Sequence, residues 1–363
     1  MTKLIALARN PWARGLFVLA SLVAAILAVW WRGPEWDTVY HAFDFVSWRW
    51  VVVGVLLNLL SVLARSLSWK LTIDQALAPP LPTFPQVFSA FGVGLLGNAV
   101  LPARAGELAR VAVLRRHLPG PSGTSATLLG TVFAHRLFDL FPIALLVVYV
   151  VTTAKLPHWA VTGVVILGLV GLALLAVAML TARRDNDGEA DGSRKASRLI
   201  AMARQGLAVL RTPAAAAAAI LLQIGGWILQ LLAVWAVAEA FDLDVPLPAA
   251  ALVLLLMNVA TVFPLWPGNV GLLQAAVALP LVQYGVAYGT GFAYGLVLQA
   301  VEMSVGVGVG LVMLAREGLS FASLKRMEDQ EEASAEDVLE DLEEPSGDGA
   351  ARRELVTRAR SPR

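Results

Sequence analysis

The chain has 363 residues, of which 58% are apolar and only 15% are charged, and its mean hydropathy is +0.69. Water-soluble domains are roughly 45–50% apolar and about 25% charged. This composition therefore excludes an ordinary soluble enzyme and indicates an integral membrane protein. The absence of cysteine excludes disulfides, thiolate catalysis and cysteine-ligated metals. The four histidines lack metal-ligand spacing, so we expect no metal, no cofactor and no nucleic-acid partner.

Charge is divided unevenly along the chain. Residues 315–363 carry 8 Lys/Arg and 13 Asp/Glu, whereas residues 1–314 carry 20 Lys/Arg and 14 Asp/Glu. The last segment has low hydrophobicity, high charge and no apolar periodicity, which is the composition of a disordered segment. We therefore expect a transmembrane domain at 1–314 and a disordered, charged cytoplasmic tail at 315–363.

The first apolar run spans residues 16–31 and follows three basic residues, as a secretory signal would. Because no small-residue cleavage site follows it, we interpret it as a first membrane span. The later apolar stretches cover residues 50–64, 84–101, 124–153, 160–181, 213–241, 249–265, 272–286 and 288–314. A membrane-spanning helix needs about 20 residues. The stretches at 84–101, 249–265 and 272–286 are short and rich in Gly, Asn or Pro, so we expect them to form two re-entrant hairpins.

Basic residues favour cytoplasmic loops, which gives an orientation. If residues 84–101 turn back at 102–106, then 14 of the 20 basic residues before position 315 lie inside, including Arg65 and Lys70. This arrangement places the 183–212 loop and both termini in the cytoplasm. The prediction is an all-α, multi-pass protein of the cytoplasmic membrane, with about six full spans and two re-entrant hairpins.

The chain contains an internal repeat. The segments LPARAGE, beginning at Leu101, and FPLWPGN, beginning at Phe263, align without gaps at an offset of 162 residues. An intramembrane acid follows each segment, Asp139 in the first case and Glu302 in the second. Each unit has the order helix, hairpin, helix, with unit one at 50–153 and unit two at 213–314. Because one helix joins the units, we expect an inverted-topology repeat.

Inverted repeats with broken helices are typical of secondary transporters, which bind their substrate near the middle of the bilayer. Charged side chains at that depth are costly and usually mark a substrate path or pair with each other. Three arginines could bind a phosphate through their guanidinium groups: Arg104, Arg110 and Arg136. Three acids would orient those arginines or carry a coupling proton: Glu107, Asp139 and Glu302. Alternatively, Glu107 with Arg110 and Arg136 with Asp139 are structural ion pairs.

The turns themselves complete the candidate substrate-binding set. Gly106 and Gly268 would allow close approach of the backbone, and the helices they begin would offer N–H groups to an anion. Pro264 and Asn269 belong to the second turn. His135 is either a proton relay or, as we prefer, a hydrogen-bonded interior histidine.

Three segments resemble a known family: NAVLPARAGELAR at 98–110, His135-Arg136-x-x-Asp139, and Pro264-x-x-Pro267-Gly268-Asn269-x-Gly271. They are similar to the transmembrane region of lysylphosphatidylglycerol synthases, a flippase-like family. The resemblance covers residues 50–315 and implies movement of an aminoacylated phospholipid between leaflets, or of polyprenyl-linked lipids. Two departures are present. His135 stands where the family usually has Glu, and the soluble aminoacyltransferase domain of the fused members is absent, so we expect no enzymatic activity.

The resulting hypothesis is a flippase that moves an anionic, aminoacylated or polyprenyl-phosphate-linked lipid, the membrane lipid being its substrate. The alternative is a membrane partner or subunit of a lipid-linked glycosyltransferase or another lipid-modifying enzyme. A membrane scaffold that recruits a partner through its acidic tail, and a transporter of small anions, also remain open.

Overall fold

The computed structural model describes residues 34–100, 106–118, 123–155, 212–262 and 269–320, together with residues 209, 323 and 326. Regular secondary structure in these ranges is helical throughout. Four sequence predictions lie wholly or mostly outside the described residues: the span at 16–31, the joining helix at 160–181, the loop at 183–212 and the tail at 315–363.

The helices follow one another in two similar series. The described part contains α1 (Trp36–Ala42), α2 (Trp48–Ala76), α3 (Phe84–Val100), α4 (Gly106–Arg115), α5 (Gly123–Phe138), α6 (Leu140–Thr153), α7 (Pro213–Ala240), α8 (Leu247–Val262), α9 (Leu272–Leu281), a short 3-10 turn (Val282–Tyr284) and α10 (Tyr288–Arg316). Asp139 between α5 and α6 has helical backbone angles, φ −61° and ψ −24°, so α5 and α6 form one continuous rod.

Four of these helices are long and apolar enough to cross a membrane: Trp48–Ala76, Thr127–Thr153, Pro213–Ala240 and Tyr288–Arg316. The all-helical, multi-pass prediction is therefore confirmed. One boundary extends beyond the sequence prediction, which ended the apolar stretch of α2 at residue 64 and assigned Arg65 and Lys70 to the cytoplasmic side of the membrane. In the structure α2 continues to Ala76, because polar side chains on one face of a helix are tolerated where that face packs against protein.

Local sequence explains where the helices begin and end. Pro213 is the first residue of α7, a position where the missing N–H of proline costs nothing. The Gln86 side chain accepts a hydrogen bond from the Thr83 backbone N–H at 2.8 Å, which caps the start of α3. Before α9, Asn269 and Gly271 have φ values of +46° and +92°, a conformation that asparagine tolerates and glycine adopts freely.

Helices α3 and α4 form a tight antiparallel hairpin, here called hairpin one. A Cβ on Gly97 would lie 2.7 Å from Gly106 Cα, and a Cβ on Gly94 would lie 3.0 Å from Arg110 Cβ. A Cβ on Gly106 would overlap the Gly94 carbonyl oxygen and lie 2.5 Å from Asn98 N. This is the close backbone approach expected of Gly106.

Helices α8 and α9 form a second pair, hairpin two. The Asn269 amide donates a hydrogen bond to the Ala260 carbonyl at 2.9 Å, which ties the start of the second arm to the end of the first. Helix α9 then packs antiparallel to α10, where a Cβ on Gly295 would lie 3.1 Å from Gln274 Cα and one on Gly291 would lie 3.0 Å from Ala278 Cα.

The first long helices of the two series, α2 and α7, pack along each other in antiparallel directions. A Cβ on Gly54 near the start of α2 would lie 2.9 Å from Val237 Cγ2 near the end of α7. Farther along α2, Ser68 donates a hydrogen bond to the Ala219 carbonyl at 2.9 Å, near the start of α7. The other contacts come in matching pairs, because α3 of hairpin one packs on α10 and α8 of hairpin two packs on α6.

Each hairpin is surrounded by its own apolar core. The core of hairpin one includes Trp69, Val93 and Leu128, and the core of hairpin two includes Leu254, Val277 and Tyr294. Most of the charged side chains that lie inside the helical body occupy the region between these cores, where hairpin one meets α2, α5 and α7.

Candidate functional site

Two carboxylates and three guanidinium groups form a connected cluster between hairpin one and the long helices. We call this the charged cluster, and its members are Arg65 on α2, Glu107 and Arg110 on α4, Arg136 on α5 and Asp139 at the α5–α6 junction. Three helices that are separate in sequence, α2, α4 and the continuous α5–α6 rod, thus contribute to one site. With both acids ionised the cluster carries one net positive charge.

Glu107 joins the two arginines that the sequence analysis had paired with different acids. Its Oε2 lies 2.5 Å from Arg110 Nη2. Its Oε1 accepts hydrogen bonds from Arg136 Nε at 3.0 Å and from Arg136 Nη2. The predicted Glu107–Arg110 pair is confirmed, and Glu107 in addition connects α4 to α5.

Asp139 is the most heavily coordinated carboxylate of the cluster. Its Oδ2 lies 3.3 Å from Arg136 Nη1, which confirms the predicted Arg136–Asp139 pair. Its Oδ1 accepts hydrogen bonds from Arg65 Nη2 at 3.3 Å, from Trp227 Nε1 at 2.9 Å and from Gln223 Nε2. A carboxylate can accept about four such bonds, so Asp139 is held as an anion by donors from three helices.

Aromatic rings support two of the three guanidinium groups. Arg110 lies over the Trp69 ring at 4.7 Å and near Phe91 at 5.7 Å, while Arg65 lies over the Trp227 ring at 5.2 Å. Cation–π contacts strengthen where water is excluded, and Arg110 is 4% exposed. These rings hold Arg65 and Arg110 in position while leaving their N–H groups available to acceptors.

Arg136 has a different environment from the other two arginines. Its side chain is 46% exposed, compared with 20% for Arg65 and 4% for Arg110. It therefore forms the accessible end of the charged cluster, whereas Arg110 forms the interior end. A ligand that entered the site would meet Arg136 first.

Several buried polar atoms of this region have no hydrogen-bond partner within the part of the chain that the structure describes. They are Arg65 Nε, Asn98 Oδ1, Arg110 Nε and Gln223 Oε1. Buried donors and acceptors are normally satisfied by protein or water. The charged cluster and its neighbours thus retain hydrogen-bonding capacity, as two guanidinium donors suited to an anionic oxygen and two amide oxygens that can accept.

The sequence analysis did not identify Arg65, Gln223 and Trp227 as site residues. For Arg65 the sequence contains a signal. The buried polar residues of α2 follow helical spacing on one face, at Asn58, Ser61, Ser68 and Thr72. Arg65 falls on the same stripe, with separations of three and four residues. The sequence prediction counted Arg65 only among the cytoplasmic basic residues and did not use this periodicity.

The second half of the predicted site is only partly described. Arg104, Pro264 and Gly268 lie outside the described residues, and hairpin two contributes no charged side chain where hairpin one has Glu107 and Arg110. Asn269 is buried and holds the hairpin through Ala260. Nearby, the Gln274 amide donates a hydrogen bond to Gln299 Oε1 at 2.6 Å. Polar groups in unit two are therefore mainly neutral amides.

Glu302 on α10 does not join the charged cluster. It accepts a hydrogen bond from Gln230 Nε2 at 3.2 Å. Gln230 lies on the same face of α7 as Gln223 and Trp227, which bind Asp139. The two intramembrane acids predicted from the repeat are thus both held by α7, but within the described part of the chain only Asp139 has cationic partners.

His135 has an interior position, as the sequence analysis preferred, with 2% exposure. Its ring packs edge-on against Phe91 at a centroid distance of 6.0 Å. The expected hydrogen bond is missing at Nδ1, which is buried and has no partner among the described residues. Packing with Phe91, rather than hydrogen bonding at Nδ1, therefore holds this histidine.

Comparison with known proteins identifies a family. The sequence model described as "Lysylphosphatidylglycerol synthase TM region" matches residues 17–310. No curated protein and no solved structure matches the chain. The matched range contains every residue of the charged cluster as well as Glu302.

Proposed function

Because the chain belongs to the family of lysylphosphatidylglycerol synthase TM regions, we propose that it is a flippase for a lipid with an anionic headgroup. The substrate class is an anionic or aminoacylated phospholipid, or a polyprenyl-phosphate-linked lipid, and the membrane is the cytoplasmic one. The role is transport rather than catalysis. The observation that carries this proposal is the charged cluster, in which three guanidinium groups face only two carboxylates.

The cluster suits a phosphate-bearing ligand for three reasons. Guanidinium groups bind phosphate oxygens in bidentate geometry and keep their charge. Arg136 is exposed enough to receive a ligand, and Arg110 lies behind it. Glu107 joins the two, so a phosphate that replaced Glu107 on Arg136 would change how α4 is attached to α5.

The arrangement of the helices supports a transport cycle that alternates between one inward-facing and one outward-facing state. We propose that hairpins one and two enter the membrane from opposite sides as re-entrant elements of an inverted repeat. The antiparallel packing of α2 on α7, and the matching contacts of α3 with α10 and α8 with α6, are those expected of two units related by an axis in the membrane plane.

The test is leaflet-resolved lipid movement in proteoliposomes. Wild type is compared with Arg136→Gln, which removes the accessible guanidinium, and with Arg49→Gln, an exposed arginine at the start of α2. Loss of one charge-assisted contact costs about 1.5–3 kcal/mol, so we expect Arg136→Gln to slow movement roughly 10- to 100-fold. Arg49→Gln should leave the rate unchanged.

The lipid panel separates the rival functions. Movement of phosphatidylglycerol, its lysyl ester or a polyprenyl phosphate supports the flippase, whereas uptake of inorganic phosphate without lipid movement would identify an anion transporter. If folded wild type moves none of these, the proposal is refuted. Co-purification with a lipid-modifying enzyme would then favour the alternative of a membrane partner.

A further inference from the structure

Glu302 is an intramembrane acid without a cationic partner within 4.0 Å among the residues that the structure describes. It lies on α10 within a membrane-spanning helix and is partly buried. Its recorded polar contact is with Gln230, a neutral amide, at 3.2 Å. None of the ion pairs within 4.0 Å among the described residues includes it.

Asp139, its counterpart in the repeat, has the opposite environment. Arg65 and Arg136 both lie 3.3 Å from it, and the Trp227 N–H binds it as well. Salt bridges hold a carboxylate in its charged form. No salt bridge holds Glu302 in this way, so its charged and protonated forms can both be reached during a transport cycle.

Helix α7 and Arg65 connect the two acids. Gln223 and Trp227 bind Asp139, and Gln230 binds Glu302. Seven residues of helix separate Gln223 from Gln230, a rise of about 10 Å. Arg65 lies over Trp227 at 5.2 Å, between these two positions on the α7 face.

The charged groups around Glu302 are few. Arg65 on α2 is a cation that acts on Glu302 through space, without a direct contact. From the α5–α6 junction, Asp139 competes for the same arginine. The polar groups that α7 and α9 present to α10 near Glu302 are the neutral amides of Gln230 and Gln274. Arg65 therefore interacts with two acids. It forms an ion pair with Asp139 and acts on Glu302 only through space.

Resting on the proposed lipid transport, we propose that Glu302 is the proton-binding site that couples transport to a proton gradient. When Glu302 is protonated, Arg65 stays on Asp139 and the charged cluster is complete. When the proton leaves, the Glu302 carboxylate attracts Arg65 away from Asp139 and loosens the contact between α2 and α5. Each cycle takes one proton from one compartment and releases it to the other.

Glu302→Gln tests this, because glutamine keeps the shape and cannot exchange a proton. Purified protein in proteoliposomes containing phosphatidylglycerol is assayed for leaflet-resolved movement with and without an imposed pH gradient. We expect the gradient to speed wild type at least tenfold and to have no effect on the rate of Glu302→Gln. The matched control is Glu239→Gln. Glu239 is an acid near the end of α7, the helix whose Gln230 binds Glu302, and this variant should respond like wild type.

A second measurement does not depend on transport. Infrared difference spectra between acidic and alkaline buffer should show the carbonyl band of a protonated carboxylic acid in wild type. The band should disappear in Glu302→Gln and shift in Glu302→Asp. A gradient response retained by Glu302→Gln, or an unchanged carboxylic-acid band, would overturn the inference while leaving lipid movement itself intact. Absence of movement in wild type would instead refute the proposed function.

Discussion

At the scale of single residues, the charged cluster shows how ionisable groups are tolerated inside this protein. A charged side chain at the centre of a membrane-spanning helix costs about 2.5–3.5 kcal/mol on insertion scales. Here Glu107 and Asp139 each contact two arginines. Because the pairs share Arg136, removal of any one arginine leaves each carboxylate with another, whereas removal of Glu107 takes the carboxylate from Arg110 and removal of Asp139 takes it from Arg65.

Glycine at position 106 is required by the same packing. Its backbone lies against α3 so closely that a Cβ would overlap the Gly94 carbonyl oxygen. We expect Gly106→Ala to destabilise the protein by about 1–3 kcal/mol, the usual cost of overpacking. Thermal unfolding of the purified protein in detergent would measure this as a lower midpoint.

Gly225→Ala is the matched control for that variant. Gly225 also lies within a helix, but a Cβ there would meet nothing within 4 Å. Since alanine favours helix over glycine by about 1 kcal/mol, the midpoint should stay equal or rise. Equal midpoints for the two variants would contradict the tight packing of α3 on α4.

At the scale of elements, α7 organises the polar interior. Its stripe of Gln223, Trp227 and Gln230 serves acids from two other helices, and its small residue Gly226 lets α2 approach. A Cβ on Gly226 would lie 2.8 Å from Arg65 Cγ. The position of Arg65 therefore depends on α7 as much as on its own helix.

Trp227→Phe separates the two roles of the Trp227 side chain. Phenylalanine keeps a ring beneath Arg65 but removes the Nε1 donor that binds Asp139 at 2.9 Å. Loss of a hydrogen bond to a charged group costs about 1.5–3 kcal/mol. We expect the free energy of unfolding to fall by this amount, as measured by denaturant titration in detergent micelles.

Trp235→Phe on the same helix provides the comparison. Trp235 packs edge-on against Trp50 at 6.1 Å, and this contact survives replacement by phenylalanine. The variant should lose clearly less stability than Trp227→Phe. A larger loss for Trp235→Phe would show that ring packing, not the bond to Asp139, is the main contribution of these tryptophans.

At the scale of the whole molecule, the antiparallel α2–α7 pair lies between two hairpins, each with its own core. A transporter of this design would move one unit against the other, with the charged cluster at the contact between them. Hairpin one and hairpin two should then begin on opposite sides of the membrane.

The absence of cysteine makes this orientation directly measurable. Single cysteines are introduced as Thr83→Cys, before α3, and Leu247→Cys, at the start of α8, both at exposed positions. In intact spheroplasts a membrane-impermeant maleimide should label Leu247→Cys, and it should label Thr83→Cys only after lysis. Labelling of both sites from one side would contradict the inverted repeat and leave the helical packing as it is.

The sequence by itself determined that this is a membrane protein, because a chain so rich in apolar residues and so poor in charged ones is suited to lipid. It also indicated where the helix pairs α3–α4 and α8–α9 are interrupted, because the repeated segments LPARAGE and FPLWPGN are rich in proline and glycine, which break helices. The ion pairs Glu107–Arg110 and Arg136–Asp139 were predictable, since residues three apart on a helix are neighbours.

Only the tertiary structure decided which arginine belongs to which acid across helices. Arg65 is 74 residues from Asp139, and no local spacing connects them. Their contact arises because α2 packs against α5 as well as α7, which brings the polar stripe of α2 to the Asp139 end of α5. The same packing left Glu302 with a neutral amide, a difference between the two acids that their matching positions in the repeat do not reveal.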